Sequence, residues 1–403
     1  MARLDPAADP LSAIRDGLYV PRPSRSTADE VAARLSLSPT SSHLIIGGIG
    51  SGKTTQLLVA CNRLSQLADT RAVYVDVSLV HDLSHMAPGT LIVAGGIAAG
   101  QLLERGDDAN AREAYRQFKR WGRGHSRRVW VSYNDSPDEP PDDRDYEESD
   151  GHYDVVVEKP LLSSPEKPID RTVRDKAQHL SAIRDGLRAR YPNLVLVFDS
   201  LDRLPDPAAF ATAIEQDVRA IQKVGIGIVV VGPLRSMFGP HRTVTDYFQH
   251  FYPLPAVDVQ RDERGRAFLV EVLRRRASED LLPDAACARL AEFSGGVLRD
   301  LLALACGVVE EAFMRDADHV EAEHVDVVAD AFGRQLIFGL SPKEIEALQR
   351  VRQKGTFVPT SDDDMALLMT RRILEYRTET SRFSVHPTLE PLLGQMSAGG
   401  EEP

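Results

Sequence analysis

The chain has 403 residues, 42% hydrophobic and 27% charged, which is the balance of a globular protein with two or three domains. Its formal net charge of −12 argues against general attraction to nucleic acid or anionic membranes, although it permits a local basic patch. The widely spaced Cys61, Cys287 and Cys306 indicate reduced, buried thiols in a cytoplasmic protein, and the longest apolar run, Leu91 to Leu103, is too short to cross a membrane.

The residues ahead of the first strand contain two local signals. An extended segment around Pro21 and Pro23 is followed by a predicted helix, Ser26 to Leu35, with Ser26 or Thr27 at its N-cap. The octapeptide Leu-Ser-Ala-Ile-Arg-Asp-Gly-Leu occurs at 11–18 and again at 180–187. We interpret both copies as short helices that end at the glycine.

The stretch from His43 to Thr55 carries the most specific motif. Leu44-Ile45-Ile46 predicts a buried strand, and the apolar spacing from Thr55 to Gln66 predicts an amphipathic helix. Between them the sequence matches the phosphate-loop pattern G-x-x-x-x-G-K-[ST]. A glycine-rich turn without a ligand is the alternative, and the flanking strand and helix disfavour it.

The residue types of this loop suit a nucleoside triphosphate with Mg²⁺. Glycines let backbone N–H groups close around phosphate oxygens, and the next helix directs the positive end of its dipole at the same anion. We predict that Lys53 reaches the β- and γ-phosphates and that the Thr54 hydroxyl is a Mg²⁺ ligand. The predicted nucleotide-binding residues are Gly47, Gly48, Gly50, Ser51, Gly52, Lys53, Thr54 and Thr55.

The next hundred residues alternate between ordered and charged segments. We predict a strand at Ala72 to Val77 and helices at Leu91 to Glu104 and Ala111 to Trp121. The last helix ends in a basic run of five arginines and Lys119 interleaved with Trp121 and Trp130, which suits either a solvated helix end or a contact with nucleic acid. The acidic segment Asn134 to Asp150 predicts a mobile loop within an insertion at about 134–170.

Two further buried strands end in charged side chains. Leu194 to Phe198 predicts a central strand, and Asp199 follows it where open α/β sheets place their ligands, so we predict a Mg²⁺ ligand there. The strand Ile226 to Gly232 is followed by Arg235, which either approaches the γ-phosphate or is a surface arginine.

The remainder is mostly helical. Predicted helices at 267–276, 283–293, 298–315 and from 320 form a helical lid. Helices at Ile345 to Arg352 and Asp362 to Arg372, followed by a two-stranded ribbon, are typical of a winged helix. We therefore predict an α/β fold with a parallel sheet flanked by helices, divided into a core (1–258), a lid (259–336), a winged helix (337–395) and a disordered tail (396–403).

Together these features resemble AAA+-type or STAND-type P-loop ATPases, close in layout to origin-recognition ATPases and NACHT-like modules, over roughly residues 15–393. Gly47 to Thr55 resembles Walker A, and Leu194 to Asp202 resembles Walker B. Arg235 matches the sensor 1 position, and Gly296-Val297-Leu298-Arg299 resembles the sensor 2 segment. The resemblance implies an ATPase with Lys53, Asp199, Asp202, Arg235 and Arg299 as catalytic residues.

The sequence departs from the AAA+ pattern immediately after Asp199. Ser200 stands where AAA+ enzymes usually carry a glutamate that orients the attacking water. Asp202 fits the second acidic position of STAND Walker B motifs, and Arg235 is also STAND-like, whereas Arg299 is AAA+-like. The resemblance therefore leaves the branch open and implies slow or partner-regulated hydrolysis.

Two functions follow from the resemblance. The first is a regulatory switch that binds ATP or ADP and assembles with a protein partner or with copies of itself. The second is a DNA-binding ATPase that uses the winged helix, although the candidate recognition helix begins Ser361-Asp362-Asp363-Asp364, which repels phosphate. A small-molecule kinase is a third and weaker alternative, because no acceptor pocket is evident.

Overall fold

A computed structural model describes residues 2–23, 26–122, 127–132, 146–149, 152–159, 169–204, 206–377 and 380–398. The elements of its first part are, in chain order, α1 (Pro10–Arg15), α2 (Thr27–Leu37), β1 (Ser42–Gly47), α3 (Lys53–Leu64), β2 (Thr70–Asp76), α4 (Val77–Val80), α5 (Thr90–Gly100), α6 (Ala109–Gly122), β3 (Arg127–Ser132), β4 (Tyr146–Ser149), β5 (His152–Lys159), α7 (Ile169–Leu187), β6 (Asn193–Asp199), α8 (Pro207–Lys223), β7 (Gly227–Gly232) and β8 (His250–Leu254).

Five parallel strands form the central sheet in the order β2-β6-β7-β1-β8. Helices α5, α7 and α8 pack on one face, and α2 and α3 pack on the other. Because both faces are covered, β1 and β7 are buried along their whole length, which explains their continuous apolar sequences. The predicted parallel α/β fold is confirmed. The predicted phosphate loop follows β1, at the carboxyl end of the sheet where β6 and β7 also end.

The edge strand β8 was not predicted. It contains Pro253, and because proline has no backbone N–H to donate to a neighbouring strand, the sequence pattern does not indicate a strand. At the edge of the sheet this restriction is harmless, because β8 pairs only with β1. The strand contributes Tyr252 and Leu254 to the core on the α3 face.

The insertion contains a small antiparallel sheet in the order β3-β5-β4. The prediction that Asn134 to Asp150 is a mobile loop is wrong for Tyr146–Ser149, because these residues pair with β5. The rest of that acidic segment lies outside the described residues, as does most of the predicted tail.

Helices fill the space after the sheet. The helical segment consists of α9 (Glu263–Arg274), α10 (Asp284–Phe293), α11 (Leu298–Met314) and α12 (Ala322–Ile337). It has its own apolar core, which includes Leu269, Leu290, Leu301 and Val325. The helices predicted here are confirmed to within a few residues at each end.

The C-terminal unit consists of α13 (Pro342–Lys354), α14 (Asp362–Met369), β9 (Ile373–Arg377), β10 (Ser381–Val385) and α15 (Glu390–Ala398). Ser341 and Glu344 form a capping box that starts α13, and β9 and β10 form an antiparallel hairpin. The predicted helices and ribbon are therefore present; the domain limits and the winged-helix assignment stay predictions.

Two smaller expectations need correction. The second copy of the octapeptide, residues 180–187, is the end of the long helix α7 rather than a short helix, and Gly186 lies inside that helix. Of the three free cysteines only Cys287 is buried, whereas Cys61 and Cys306 are partly exposed. Within the described residues, every helix falls short of the length and apolar character needed to cross a bilayer.

Candidate functional site

The loop between β1 and α3 is shaped by its glycines. A Cβ at Gly47 would lie 2.5 Å from the Leu254 carbonyl oxygen, so a side chain does not fit there. Gly50 and Gly52 have φ of +79° and +88°, a region that other residues rarely adopt. Packing against β8 thus requires glycine at position 47, and the backbone conformation favours glycine at positions 50 and 52.

Helix α3 begins at Lys53 and directs its N-terminus at this loop. Its N-cap is Gly52, which provides no side-chain cap, so the N–H groups of the first turn are available to an anion. A Cβ at Gly48 would meet no atom within 4 Å, which leaves open space beside the loop. This arrangement fits a polyphosphate.

Lys53 is a buried cation of this site, with 6% of its surface exposed. Its Nζ donates to the carbonyl oxygens of Gly47 at 3.0 Å and Gly48 at 2.8 Å. It also lies 2.9 Å from Oδ2 of Asp202, a residue just beyond the end of β6. The structure therefore brings together two of the predicted catalytic residues.

Asp199 ends β6 and is buried, with 3% of its surface exposed. Its Oδ1 accepts a hydrogen bond from the Ser200 N–H at 2.7 Å, and its Oδ2 accepts one from the Tyr74 hydroxyl at 2.9 Å. Ser200 has a positive φ of 69°, which turns the chain sharply after the strand. Sequence reasoning missed Tyr74, because its contact depends on the pairing of β2 with β6.

The side-chain oxygens beside the predicted phosphate loop are of the kind that ligates Mg²⁺. The Thr54 hydroxyl and the Asp199 carboxylate are the hard ligands that this ion prefers. In the part of the chain that the structure describes, no group of three or more His, Cys, Asp or Glu side chains could hold a metal. A Mg²⁺ ion here would therefore need phosphate oxygens and water for its other ligands, as is usual in nucleotide sites.

Helix α11 contacts the loop directly. The Arg299 N–H donates to the Gly50 carbonyl oxygen at 3.4 Å, and a Cβ at Gly50 would lie 2.6 Å from the Arg299 Cβ. A Cβ at Gly52 would lie 3.1 Å from the Leu298 Cδ1. The backbone and Cβ of Arg299 therefore lie against the predicted phosphate loop, and its side chain is exposed.

Arg22 supports the loop from the N-terminal segment and was not predicted. Its Nη2 donates to the Ser51 carbonyl oxygen at 2.8 Å, and its Nη1 lies 3.5 Å from the Pro255 carbonyl oxygen. Burial lowers the pKa of Arg22 to about 10, so the side chain remains charged at neutral pH. It thereby ties the loop to the residues that follow β8.

Arg235 has its described contacts with α14. Its Nε is 3.1 Å from the Met369 Sδ, and its Nη2 is 3.6 Å from an Asp362 carboxylate oxygen. Both partners belong to α14, so in this structure the guanidinium contacts the C-terminal unit.

The C-terminal unit is held against the preceding residues by two ion pairs with buried carboxylates. Arg371 Nε lies 2.8 Å from Asp300 on α11, and Arg382 Nη2 lies 2.7 Å from Asp258. The Asp300 and Asp258 side chains are 2% and 1% exposed. Tyr376, on β9, adds a hydrogen bond from its hydroxyl to the Gly295 carbonyl oxygen at 2.9 Å.

Comparison with known proteins gives matches of structure only. No family model matches the chain, and no curated protein matches it. Similar solved structures include the ORC2 protein of Aeropyrum pernix (ADPNP–ADP complexes; 12% identity, 96% of this chain and 98% of that one, TM-score 0.48) and Cdc6p of Pyrobaculum aerophilum (13%, 96% and 99%, TM-score 0.44). The RuvB Holliday junction branch migration motor of Thermotoga maritima is similar at 14% identity, over 92% and 94% of the two chains, with a TM-score of 0.41. At these scores the function of the chain has to be argued from its own residues.

Proposed function

We propose that this protein is a regulatory ATPase that binds ATP with Mg²⁺ at Gly47–Thr55 and hydrolyses it slowly. The observation that carries the proposal is the meeting of Lys53 and Asp202 at 2.9 Å beside an uncapped helix N-terminus. A glycine-shaped loop, a lysine and a strand-end carboxylate are the parts from which phosphate-loop sites are built.

Each residue of the site has a proposed role. Backbone N–H groups of the loop and of the first turn of α3 hold the phosphates, and Lys53 turns from its present partners towards the β- and γ-oxygens. Thr54 and Asp199 would hold Mg²⁺, and the ion would supply positive charge to neutralise the phosphates. Asp202, once released from Lys53, orients the attacking water, because the Ser200 hydroxyl is insufficiently basic for that task.

The contacts of α11 and the C-terminal unit support a switch. Helix α11 contacts the loop at Gly50, and the C-terminal unit contacts α11 at Asp300 and the core at Arg235. A change in the loop on nucleotide binding therefore bears directly on surfaces that a protein partner or a second copy could use.

Lys53→Ala tests the proposal. Removing the ammonium group takes away the only charge on a loop otherwise made of backbone dipoles, so we expect the affinity for Mg·ATP to fall at least ~100-fold. Lys223→Ala, at the exposed end of α8, is the control. Equal ATP affinity and turnover in Lys53→Ala and wild type would overturn the phosphate-loop assignment.

A DNA-binding ATPase is the second candidate. The exposed basic residues at the end of α13, Arg350, Arg352 and Lys354, favour it. The three aspartates that open α14 and the contact of α14 with Arg235 weigh against a recognition role for that helix. A mobility-shift titration with duplex DNA at rising salt decides, because no shift at low salt excludes this candidate.

A further inference from the structure

The pairing of β2 with β6 places two carboxylates side by side. Asp76 and Asp199 are partners in the parallel register, and each is the last residue of its strand. Neighbouring like charges on adjacent strands repel one another, so the site must provide donors for both. The donors that the structure provides differ between the two carboxylates.

Asp76 is committed to capping α4. Its Oδ1 accepts hydrogen bonds from the Ser78 N–H at 3.0 Å and from the Ser78 hydroxyl at 2.6 Å. These local bonds turn its carboxylate towards α4. Asp199 is therefore the carboxylate of this pair that remains for the ligand.

Tyr74 is the side-chain donor to Asp199. It lies two residues before Asp76, so both side chains leave β2 on the same face. Its ring packs against the apolar cluster that includes Leu57 and Ala60 of α3, the helix that follows the phosphate loop. From there the hydroxyl reaches Asp199 Oδ2 at 2.9 Å, while the Ser200 N–H holds Oδ1.

We propose that Tyr74 is a positioning residue, which fixes the orientation of the Asp199 carboxylate and thereby sets the affinity of the site for Mg²⁺. This inference rests on the proposed function. Two donors, one on each oxygen, fix the plane of the carboxylate and leave a second lone pair on each oxygen for a ligand or for water. Partners of this kind, one shell outside a metal, tune metal affinity by orienting the ligand.

The phenol also keeps its proton under all ordinary conditions. Burial and the negative charge of Asp199 raise the pKa of Tyr74 above its usual value, because a phenolate beside that carboxylate would be repelled. The hydrogen bond itself has the Tyr74 hydroxyl as donor and Asp199 Oδ2 as acceptor.

Tyr74→Phe removes the hydroxyl and keeps the ring. We expect the Mg²⁺ concentration for half-maximal binding of a fluorescent ATP analogue to rise about 10-fold, since loss of such partners typically costs 10- to 100-fold in metal affinity. Binding of the same analogue in EDTA should be unchanged, because the phosphate loop is untouched.

Tyr252→Phe is the matched control. Tyr252 lies on β8 of the same sheet and is buried, and its hydroxyl is hydrogen-bonded with His43 Nδ1 at 2.9 Å, a contact that the phenylalanine variant loses. A role of Tyr74 in stability alone would lower the melting temperature of both variants and leave their Mg²⁺ dependence equal to that of wild type.

The outcomes separate this inference from the proposed function. An unchanged Mg²⁺ dependence in Tyr74→Phe, with wild type binding Mg·ATP, overturns the role of Tyr74 alone. A wild-type protein that binds no ATP, or binds it equally with and without Mg²⁺, overturns the proposed function and this inference with it.

Discussion

Asp202→Asn is the most informative change at this site, because Asp202 has two separable effects. It pairs with Lys53 at 2.9 Å, and it is the proposed group that orients the attacking water. The change keeps the size of the side chain and removes its charge. It should therefore free Lys53 for phosphate while disabling hydrolysis.

The magnitude follows from the geometry of the pair. Coulomb attraction between unit charges this close is about 6 kcal/mol at an effective dielectric constant of 20. The Asp202 side chain is 20% exposed, and Lys53 also donates to two carbonyl oxygens, so much of that attraction is screened or replaced. A net cost of about 1–2 kcal/mol to free Lys53 corresponds to roughly 5- to 30-fold in nucleotide affinity.

The assay combines binding and single-turnover kinetics. We expect Asp202→Asn to bind ATP and ADP more tightly than wild type by that factor and to hydrolyse ATP at least ~100-fold more slowly. Asp280→Asn, at an exposed position in the helical segment, is the control for loss of one negative charge. Weaker binding in Asp202→Asn would show that Asp202 prepares Lys53 for phosphate, and wild-type values of affinity and turnover would refute the reasoning.

Two further predictions concern stability. Arg382→Ala leaves the Asp258 carboxylate buried without its cation, so we expect the docking of the C-terminal unit to weaken by about 3 kcal/mol. The measurement is amide hydrogen exchange in β9 and β10, which should become faster. Unchanged exchange would contradict this prediction. Burial lowers the pKa of His43 to about 3, below its unfolded value near 6.5, so the stability from the neutral ring is lost as pH falls through that window. The free energy of unfolding of wild type in urea should therefore fall by about 2 kcal/mol more than that of His43→Gln between pH 6.5 and 4.5, and parallel pH profiles would contradict this.

Local patterns predicted most of the sheet and the loop. The apolar runs of β1, β6 and β7 are continuous because these strands are buried on both faces. The loop could be predicted because part of its requirements is local in sequence, namely positive φ at Gly50 and Gly52 and the N-terminus of α3, whereas the packing of Gly47 against β8 is not.

Contacts between distant segments could not be predicted in the same way. Tyr74 meets Asp199 only because β2 and β6 pair in one particular register, and the sequence of either strand alone does not contain that register. The direction of Arg235 likewise depends on where α14 packs, although the residue lies more than 120 positions earlier in the chain. The sequence thus predicts which residues can carry chemistry, whereas only the tertiary structure shows which residues they contact.

The first turn of α11 is where the loop and the C-terminal unit meet. Arg299 contacts Gly50 through its backbone, and the next residue, Asp300, holds Arg371 at 2.8 Å. Because these two residues are adjacent in one helix, a nucleotide that displaced the loop at Gly50 would also act on the buried Asp300–Arg371 pair. By linkage, the coupling free energy by which nucleotide binding alters docking of the C-terminal unit would equal that by which docking alters nucleotide affinity. A switch requires such reciprocal coupling, and the Arg299–Gly50 and Asp300–Arg371 contacts provide a route for it.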